Sequence, residues 1–295
     1  MVQQKLQRVA DHIYLVPGGN KGRFPYSHSV LIVDNETVLI DTGCGIETLK
    51  QIRKEYRIDY VINSHTHIDH IAGNWLFQDK PLFVPEQGFT SRGSLVKLSQ
   101  RFVNEPLGPR WRKFAREILG VRDCEPTDSY NEDTRFSFGE VTLTPIYTPG
   151  HTIDHYCFLE ETERILFSFD YDLTSFPWYG HAESSLADFR SSVKRLKALS
   201  PKIVVSSHKG IITEDIGARF DAFYNKLDER NERILSLLGS GKTVEQLVDH
   251  APIYGRFPYV KSLLRYWEAV MILKHLEELE KEGRVQRQGE SYIRL

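Results

Sequence analysis

The sequence predicts a mixed α/β domain over residues 1–220 followed by a small helical, winged-helix-like domain over residues 221–295, and three observations carry that reading. Short β-rich runs alternate with helical stretches through the first two thirds of the chain. Beyond about residue 220 the pattern turns helical. The final residues, 283–295, read as a hairpin, and helices followed by a hairpin describe a winged-helix-like module.

The first elements are strands. Residues 13–17, 27–33 and 37–41 are β-rich, and Asp34-Asn35-Glu36 supplies a turn between the last two. After Asp41-Thr42-Gly43, residues 45–56 have a helical pattern, and 60–63 is an apolar strand that stops at a run of histidines. A polar cluster at the C-terminal edge of a strand is where α/β proteins usually bind ligands. Residues 87 to about 120 differ. Here Leu95, Leu98, Phe102, Trp111, Phe114 and Leu119 recur among Arg92, Lys97, Arg101, Arg110, Arg112, Lys113 and Arg116, an amphipathic helical insertion broken at Pro106 and Pro109. Strands resume at 134–146, 156–160 and 164–168, a helix covers 185–199, and a strand covers 203–206. Helical stretches near 222–238, 244–250 and 259–282 precede the hairpin, whose turn falls near Gly289.

Hydrophobic residues make up 40% and charged residues 26%, which suits a globular chain with a substantial core. Lys and Arg number 38 against 40 Asp and Glu, and the formal net charge of −2 argues against a nucleic-acid partner. The longest apolar runs, 269–273 and 30–33, are far too short to cross a bilayer, so no membrane partner is expected. The start, Met1-Val2-Gln3-Gln4-Lys5-Leu6-Gln7-Arg8, lacks the apolar stretch of a secretory signal, and the expected location is the cytoplasm. Cys44, Cys124 and Cys157 stand far apart, as small buried hydrophobes do, rather than as a disulfide framework or zinc knuckle.

The decisive segment is His65-Thr66-His67-Ile68-Asp69-His70. Imidazoles and carboxylates are the ligands that first-row metals take, and four of them within six residues converge only on a sharp turn at a strand end. Further candidates end or follow short apolar strands: Thr148-Pro149-Gly150-His151, Phe167-Ser168-Phe169-Asp170 and Val205-Ser206-Ser207-His208.

In these residues the sequence resembles the metallo-β-lactamase superfamily, whose signature is H-x-H-x-D-H followed by a separate His, an Asp and a final His. The resemblance covers about residues 8–215 and includes Leu39-Ile40-Asp41-Thr42-Gly43 and Thr148-Pro149-Gly150-His151-Thr152. It implies an αββα sandwich with the site along one edge of its two sheets. It also implies two divalent ions per chain, with His65, His67 and His151 on one, Asp69, His70 and His208 on the other, and Asp170 bridging. Zinc suits so many histidines, and iron or manganese would also fit. The implied chemistry is hydrolysis by a metal-activated hydroxide, with Asp69 orienting the nucleophile or receiving a proton. Asp41 is expected to hydrogen-bond a ligand or the turn, and His155 to support the turn of His151. Three positions depart from the family pattern. Phe169 stands where Gly usually precedes the bridging Asp, Ser207-His208-Lys209-Gly210 replaces a Gly-His-Gly-like turn, and His28 adds an imidazole near the site mouth.

This superfamily includes β-lactam, thioester, lactone and phosphodiester hydrolases and mononuclear-iron persulfide dioxygenases, so the fold does not choose the reaction. A helical C-terminal appendage resembles the branch of small cytosolic hydrolases and a single-strand endoribonuclease. The basic insertion with Trp111 and Phe114 would suit single strands, and the negative net charge argues against them. A dioxygenase would take one iron on His65, His151 and Asp170. After Asp170 comes an aromatic loop, in which Phe176, Trp178 and Tyr179 offer flat apolar surface and His181 a polar handle, and Lys209 could pair with an anionic group. The helical insertion around Trp111 could close over the site from another side. The expectation is hydrolysis of a small acyl thioester or related ester, with the dioxygenase and the endoribonuclease as alternatives. For the C-terminal module, Glu277, Glu278, Glu280 and Glu282 make nucleic-acid binding unattractive, and a structural or dimerising role, giving a homodimer, is expected.

Overall fold

The computed structural model describes residues 5–89, 91 and 93–295; the expectations resting on Met1–Gln4 and on Arg92 lie outside the described residues. Seven strands, β1 (Gln7–Ala10), β2 (Ile13–Val16), β3 (Ser29–Val33), β4 (Thr37–Ile40), β5 (Tyr60–Ile62), β6 (Leu82–Pro85) and β7 (Asp128–Tyr130), pair in sequence order. They are antiparallel from β1 to β4 and parallel from β4 to β7. A second sheet contains β8 (Phe136–Ser137), β9 (Thr142–Tyr147), β10 (Tyr156–Glu160), β11 (Ile165–Phe169), β12 (Ile203–Ser206) and β13 (Gly210–Ile212), in the order β13-β12-β11-β10-β9-β8. The helices are α1 (Ile46–Glu55), α2 (Ile68–Ile71), α3 (Leu95–Phe102), α4 (Gly108–Ile118), α5 (Leu186–Ala198), α6 (Ile216–Leu238), α7 (Val244–His250) and α8 (Lys261–Lys281).

Alternation along the strands assigns the layers. Val30, Ile32, Val38, Ile40 and Ile62 of the first sheet meet Leu143, Phe158, Ile165, Phe167 and Val205 of the second, filling the space between them. Their neighbours point the other way. Leu31, Leu39 and Val61 pack on Leu49 and Ile52 of α1, while Leu166 and Val204 pack on Phe189, Val193 and Leu196 of α5. The result is helix, sheet, sheet, helix, the sandwich that the resemblance implies.

Several elements differ from expectation. The run 134–146 is not one strand, because a turn with Gly139 at φ 136° splits it into the hairpin β8–β9. Strand β7, Asp-Ser-Tyr, carries no apolar alternation and is held by parallel pairing with β6. In the insertion Pro109 does not break the chain but sits in the first turn of α4, where a missing N–H costs nothing. Helix α6 begins at Ile216 rather than near 222, since Phe220 and Phe223 are buried in the core that holds Phe189 and Leu196. At the C-terminus β14 (Lys242–Thr243), β15 (Val285–Gln288) and β16 (Ser291–Arg294) form a small sheet in the order β14-β16-β15, and α7 starts on a capping box in which the Thr243 hydroxyl accepts from Gln246 N.

The insertion is tied to the C-terminal helices. Leu95, Leu98, Phe102 and Trp111 share one apolar cluster with Leu263, Leu264 and Trp267 of α8. Trp111 is therefore core, not a platform open to a ligand, and Phe114 stacks on Phe24 at 6.0 Å. Cys44 and Cys157 are buried, which pushes both thiols up to about 12. No helix among the described residues is long and apolar enough to cross a membrane.

Candidate metal centre

Strands β4 and β5 run parallel in one sheet, and β9, β11 and β12 share a direction in the other. The chain therefore leaves each sheet at the same edge, bearing Asp41 after β4, His65 after β5, His151 after β9, Asp170 after β11 and His208 after β12. His67 caps the short α2, and Asp69 and His70 lie in its single turn. That turn is clamped from behind. Thr42 N donates to His70 O at 2.7 Å, and the Ser27 hydroxyl donates to Asp69 O at 2.8 Å. Gly43 permits the approach, since a Cβ there would lie 1.6 Å from Asp69 O.

Phe169, in the usual Gly position, adopts φ 48° beside a register shift between β11 and β12. A left-handed conformation costs a non-glycine residue about 1–2 kcal/mol. The ring offsets that by packing, buried, edge-on against Phe158 at 5.7 Å.

Two groups of side chains result. One ligand atom from each of His65, His67, His151 and Asp170 lies within 4.8 Å of the others, and the same holds for Asp69, His70 and His208. Asp170 divides its oxygens between them. Oδ2 lies 3.1 Å from His151 Nε2, 3.8 Å from His65 Nε2 and 3.9 Å from His67 Nδ1, while Oδ1 lies 2.9 Å from His70 Nε2 and 3.3 Å from His208 Nε2. Asp69 Oδ2 is 3.6 Å from His208 Nε2 and 3.9 Å from His70 Nε2.

The outer nitrogens of these rings decide what the inner ones can do. His70 Nδ1 faces Asp41 Oδ2 at 2.7 Å, His151 Nδ1 faces Trp178 O at 2.7 Å and His208 Nδ1 faces Gly22 O at 2.6 Å. Carboxylate and carbonyl oxygens only accept, so each proton sits on Nδ1 and each inward Nε2 is a bare lone pair. His65 follows suit, because the Ser64 hydroxyl donates to Asp41 and so accepts from His65 Nδ1 at 3.0 Å. The bare Nε2 of His151 lies 2.8 Å from His67 Nδ1, close enough for one cation to take both rings. His65 Nε2, His70 Nε2 and Asp170 Oδ1 are buried without a hydrogen bond. The donor set fits divalent metal ions.

Other expected residues fall variously. His155 donates to the Thr148 hydroxyl at 2.8 Å and accepts from Asp170 N at 3.3 Å, so it supports Asp170 as well as the turn. His28 accepts from Gly18 N at 2.8 Å, and burial, with His208 nearby, pushes it down to about 4. Trp178 sets its ring against His67 at 5.4 Å and His151 at 5.7 Å. Tyr179 does not line the site: it is fully buried, donates to His275 Nε2 at 2.6 Å and accepts from Arg230 at 2.7 Å, because α6 and α8 cover that side of the loop. His181 is buried against His67 rather than offered as an open handle, and Lys209 is exposed. Arg101 of the amphipathic insertion is half-buried and turned inward. It reaches Thr66 Oγ1 at 2.9 Å, Glu183 at 2.6 Å and Asp154 at 3.2 Å, anchoring the insertion beside the histidine run. Its charge and that of Thr66's hydroxyl proton act against burial to hold Asp154 down at about 2. A helix-periodicity argument cannot see a partner 53 residues away.

The family model of the metallo-β-lactamase superfamily matches residues 22–208, spanning every ligand candidate. The chain belongs to the metallo-β-lactamase superfamily. A metallo-β-lactamase family protein from Thermus thermophilus superposes with a TM-score of 0.76 at 23% identity, covering 98% of this chain and all of that one. The lactamase-like protein adaB of Aspergillus niger is 27% identical over 247 residues, 79% of this chain, which spans 66% of that relative's length. An acyl-coenzyme A thioesterase, MBLAC2 of Gallus gallus, is 28% identical over 203 residues, 63% of this chain and 69% of that one. An atrochrysone carboxyl ACP thioesterase of Aspergillus fumigatus is 23% identical over 273 residues, 85% and 76% of the two chains. Superfamily membership with thioesterase-named relatives supports a hydrolase.

Proposed function

We propose that the chain is a metal-dependent hydrolase of small acyl thioesters or related esters, with His65, His67 and His151 holding one divalent ion, Asp69, His70 and His208 the other, and Asp170 bridging. Zinc is the proposed metal. The observation that carries this reading is the set of bare inward nitrogens around Asp170, their outer partners each turned to an acceptor. When bound, two such ions acidify a water and polarise a carbonyl oxygen. Asp69, beside His70 and His208, is the carboxylate on hand to take up the proton released. The second group is as fully braced as the first, which favours two ions over a single iron.

For substrate, Phe24 and Tyr26, 43% and 37% exposed, project from the loop whose Gly22 O holds His208, and the partly exposed Trp178 flanks the other group. These rings suit an apolar acyl body, and Lys209 an anionic substituent. The thioesterase names among the relatives point the same way. The buried Trp111 and the covered Phe114 leave the insertion without the stacking platform that single-stranded RNA would need. Residues 221–295 serve, on this reading, as a structural module. The test is a panel of aryl and alkyl acyl-thioesters, lactones, single-stranded RNA and glutathione persulfide, assayed with zinc, manganese or ferrous iron alongside elemental analysis. Thioester turnover with about two ions per chain supports the proposal; oxygen uptake with the persulfide, or RNA cleavage without ester or thioester turnover, refutes it.

A further inference from the structure

His67 differs from the other ring ligands in presenting Nδ1, not Nε2, to Asp170. Its outer nitrogen, Nε2, lies 2.6 Å from His181 Nε2. Two imidazole nitrogens at that distance need one proton between them, and the rest of the His181 ring says whose it is. His181 Nδ1 lies 3.0 Å from Phe102 O, which only accepts, so the His181 proton is on Nδ1 and its Nε2 is an acceptor. We propose that His181 is a positioning residue: it takes the Nε2–H of His67 as a hydrogen bond and so keeps Nδ1 of His67 bare and aimed at one of the two ions. This rests on the metal reading above.

The place of His181 is itself braced. Its ring stacks on Phe102 of the insertion at 4.1 Å, and its N–H donates to the Ser184 hydroxyl, which donates to His151 O at 2.6 Å. The same loop supplies Trp178 O to His151 Nδ1, so residues 178–181 fix two rings of one group and none of the other. The C-terminal helices pin this loop. Trp178 Nε1 donates to the Tyr254 hydroxyl at 2.6 Å, and Arg230 donates to Pro177 O at 2.6 Å and to the Tyr179 hydroxyl. The second group has separate anchors, in Asp41 for His70 and in Gly22 O for His208. Loss of the His181 acceptor should therefore act on one ion.

Metal titration of the full chain with zinc and with cobalt tests this in His181→Phe and His181→Gln. His181→Phe keeps the ring volume but can neither accept from His67 nor donate to Phe102. Binding of one ion should weaken by about 10- to 100-fold, the range typical when a ligand's outer partner is lost, while the other ion binds as in the wild type. The cobalt ligand-field bands should change for that ion alone. His181→Gln, whose amide both accepts and donates, should restore the wild-type affinity and spectrum. Should His181→Phe bind both ions normally, or lose both equally, or should His181→Gln behave like His181→Phe, the inference fails while the metal reading stands. A wild-type chain that takes up no ion sinks both. Nitrogen NMR of histidine-labelled wild-type protein decides the point without any variant: His181 should carry its proton on Nδ1, as His65, His70, His151 and His208 do, and His67 alone among the ring ligands should carry it on Nε2. A proton on His181 Nε2 overturns the proposal.

Discussion

Asp41 Oδ2 lies 2.7 Å from His70 Nδ1 and 2.7 Å from the Ser64 hydroxyl that faces His65, so one buried carboxylate aligns a histidine in each of the two ligand-candidate groups. Replacing it with Ala leaves both rings free to turn. Asp41→Ala should weaken the binding of both ions, by about 10- to 100-fold for the one held through His70, where the contact is direct. Competition with a chelator measures this, and unchanged affinity would show that Asp41 serves only the turn.

Asp170 should behave differently from any histidine. Each of its oxygens faces a different group, so Asp170→Ala should drop occupancy from about two ions towards less than one, with activity falling in step. The fold should survive, because the sandwich core lies between the sheets and not at this edge. Elemental analysis after dialysis reads the result; a variant that keeps two ions and turns over normally would assign the bridge to another carboxylate.

Phe169 sets two effects against each other. Phe169→Gly would relieve about 1–2 kcal/mol of left-handed strain but remove a buried ring, a loss of about 3–5 kcal/mol for large aromatic truncations. Packing wins, so the family's usual residue should destabilise this chain by about 1–4 kcal/mol. The midpoint of denaturant unfolding checks the sign, and a stabilised variant would mean that strain dominates.

His275 predicts a pH dependence of stability. Burial, with Arg230 and Arg190 nearby, holds it well below the ordinary histidine value, and it stays neutral between the Tyr179 hydroxyl and Asn231. The unfolded chain takes up a proton near pH 6.5 and the folded chain does not. Its contribution is therefore complete above about pH 6.5 and is lost as pH falls below that, by up to about 1.4 kcal/mol per pH unit. His275→Gln should flatten the stability profile between about pH 4.5 and 6.5 relative to the wild type; parallel profiles would contradict the assignment.

The sequence by itself determined the parts of this protein that are local. His65-Thr66-His67-Ile68-Asp69-His70 needs no distant residue to declare its chemistry, and the alternation of β3 and β4 states which face is buried, because side-chain direction follows from backbone period alone. Candidate ligands at other strand ends were legible for the same reason, and so was the helical stretch of α7, though not its cap. What only the tertiary structure decided depends on partners far apart in the chain. Strand β7 exists because β6 lies beside it, Arg101 turns inward because Asp154 and Glu183 meet it, and Tyr179 turns from the site because α6 and α8 stand behind it. The aromatic pattern of residues 171–181 names the apolar surface but not the side it covers. That choice belongs to packing: the C-terminal helices and the insertion both pack on the loop, and the hydrogen-bonding capacity left over, in Trp178 O and His181, faces His151 and His67.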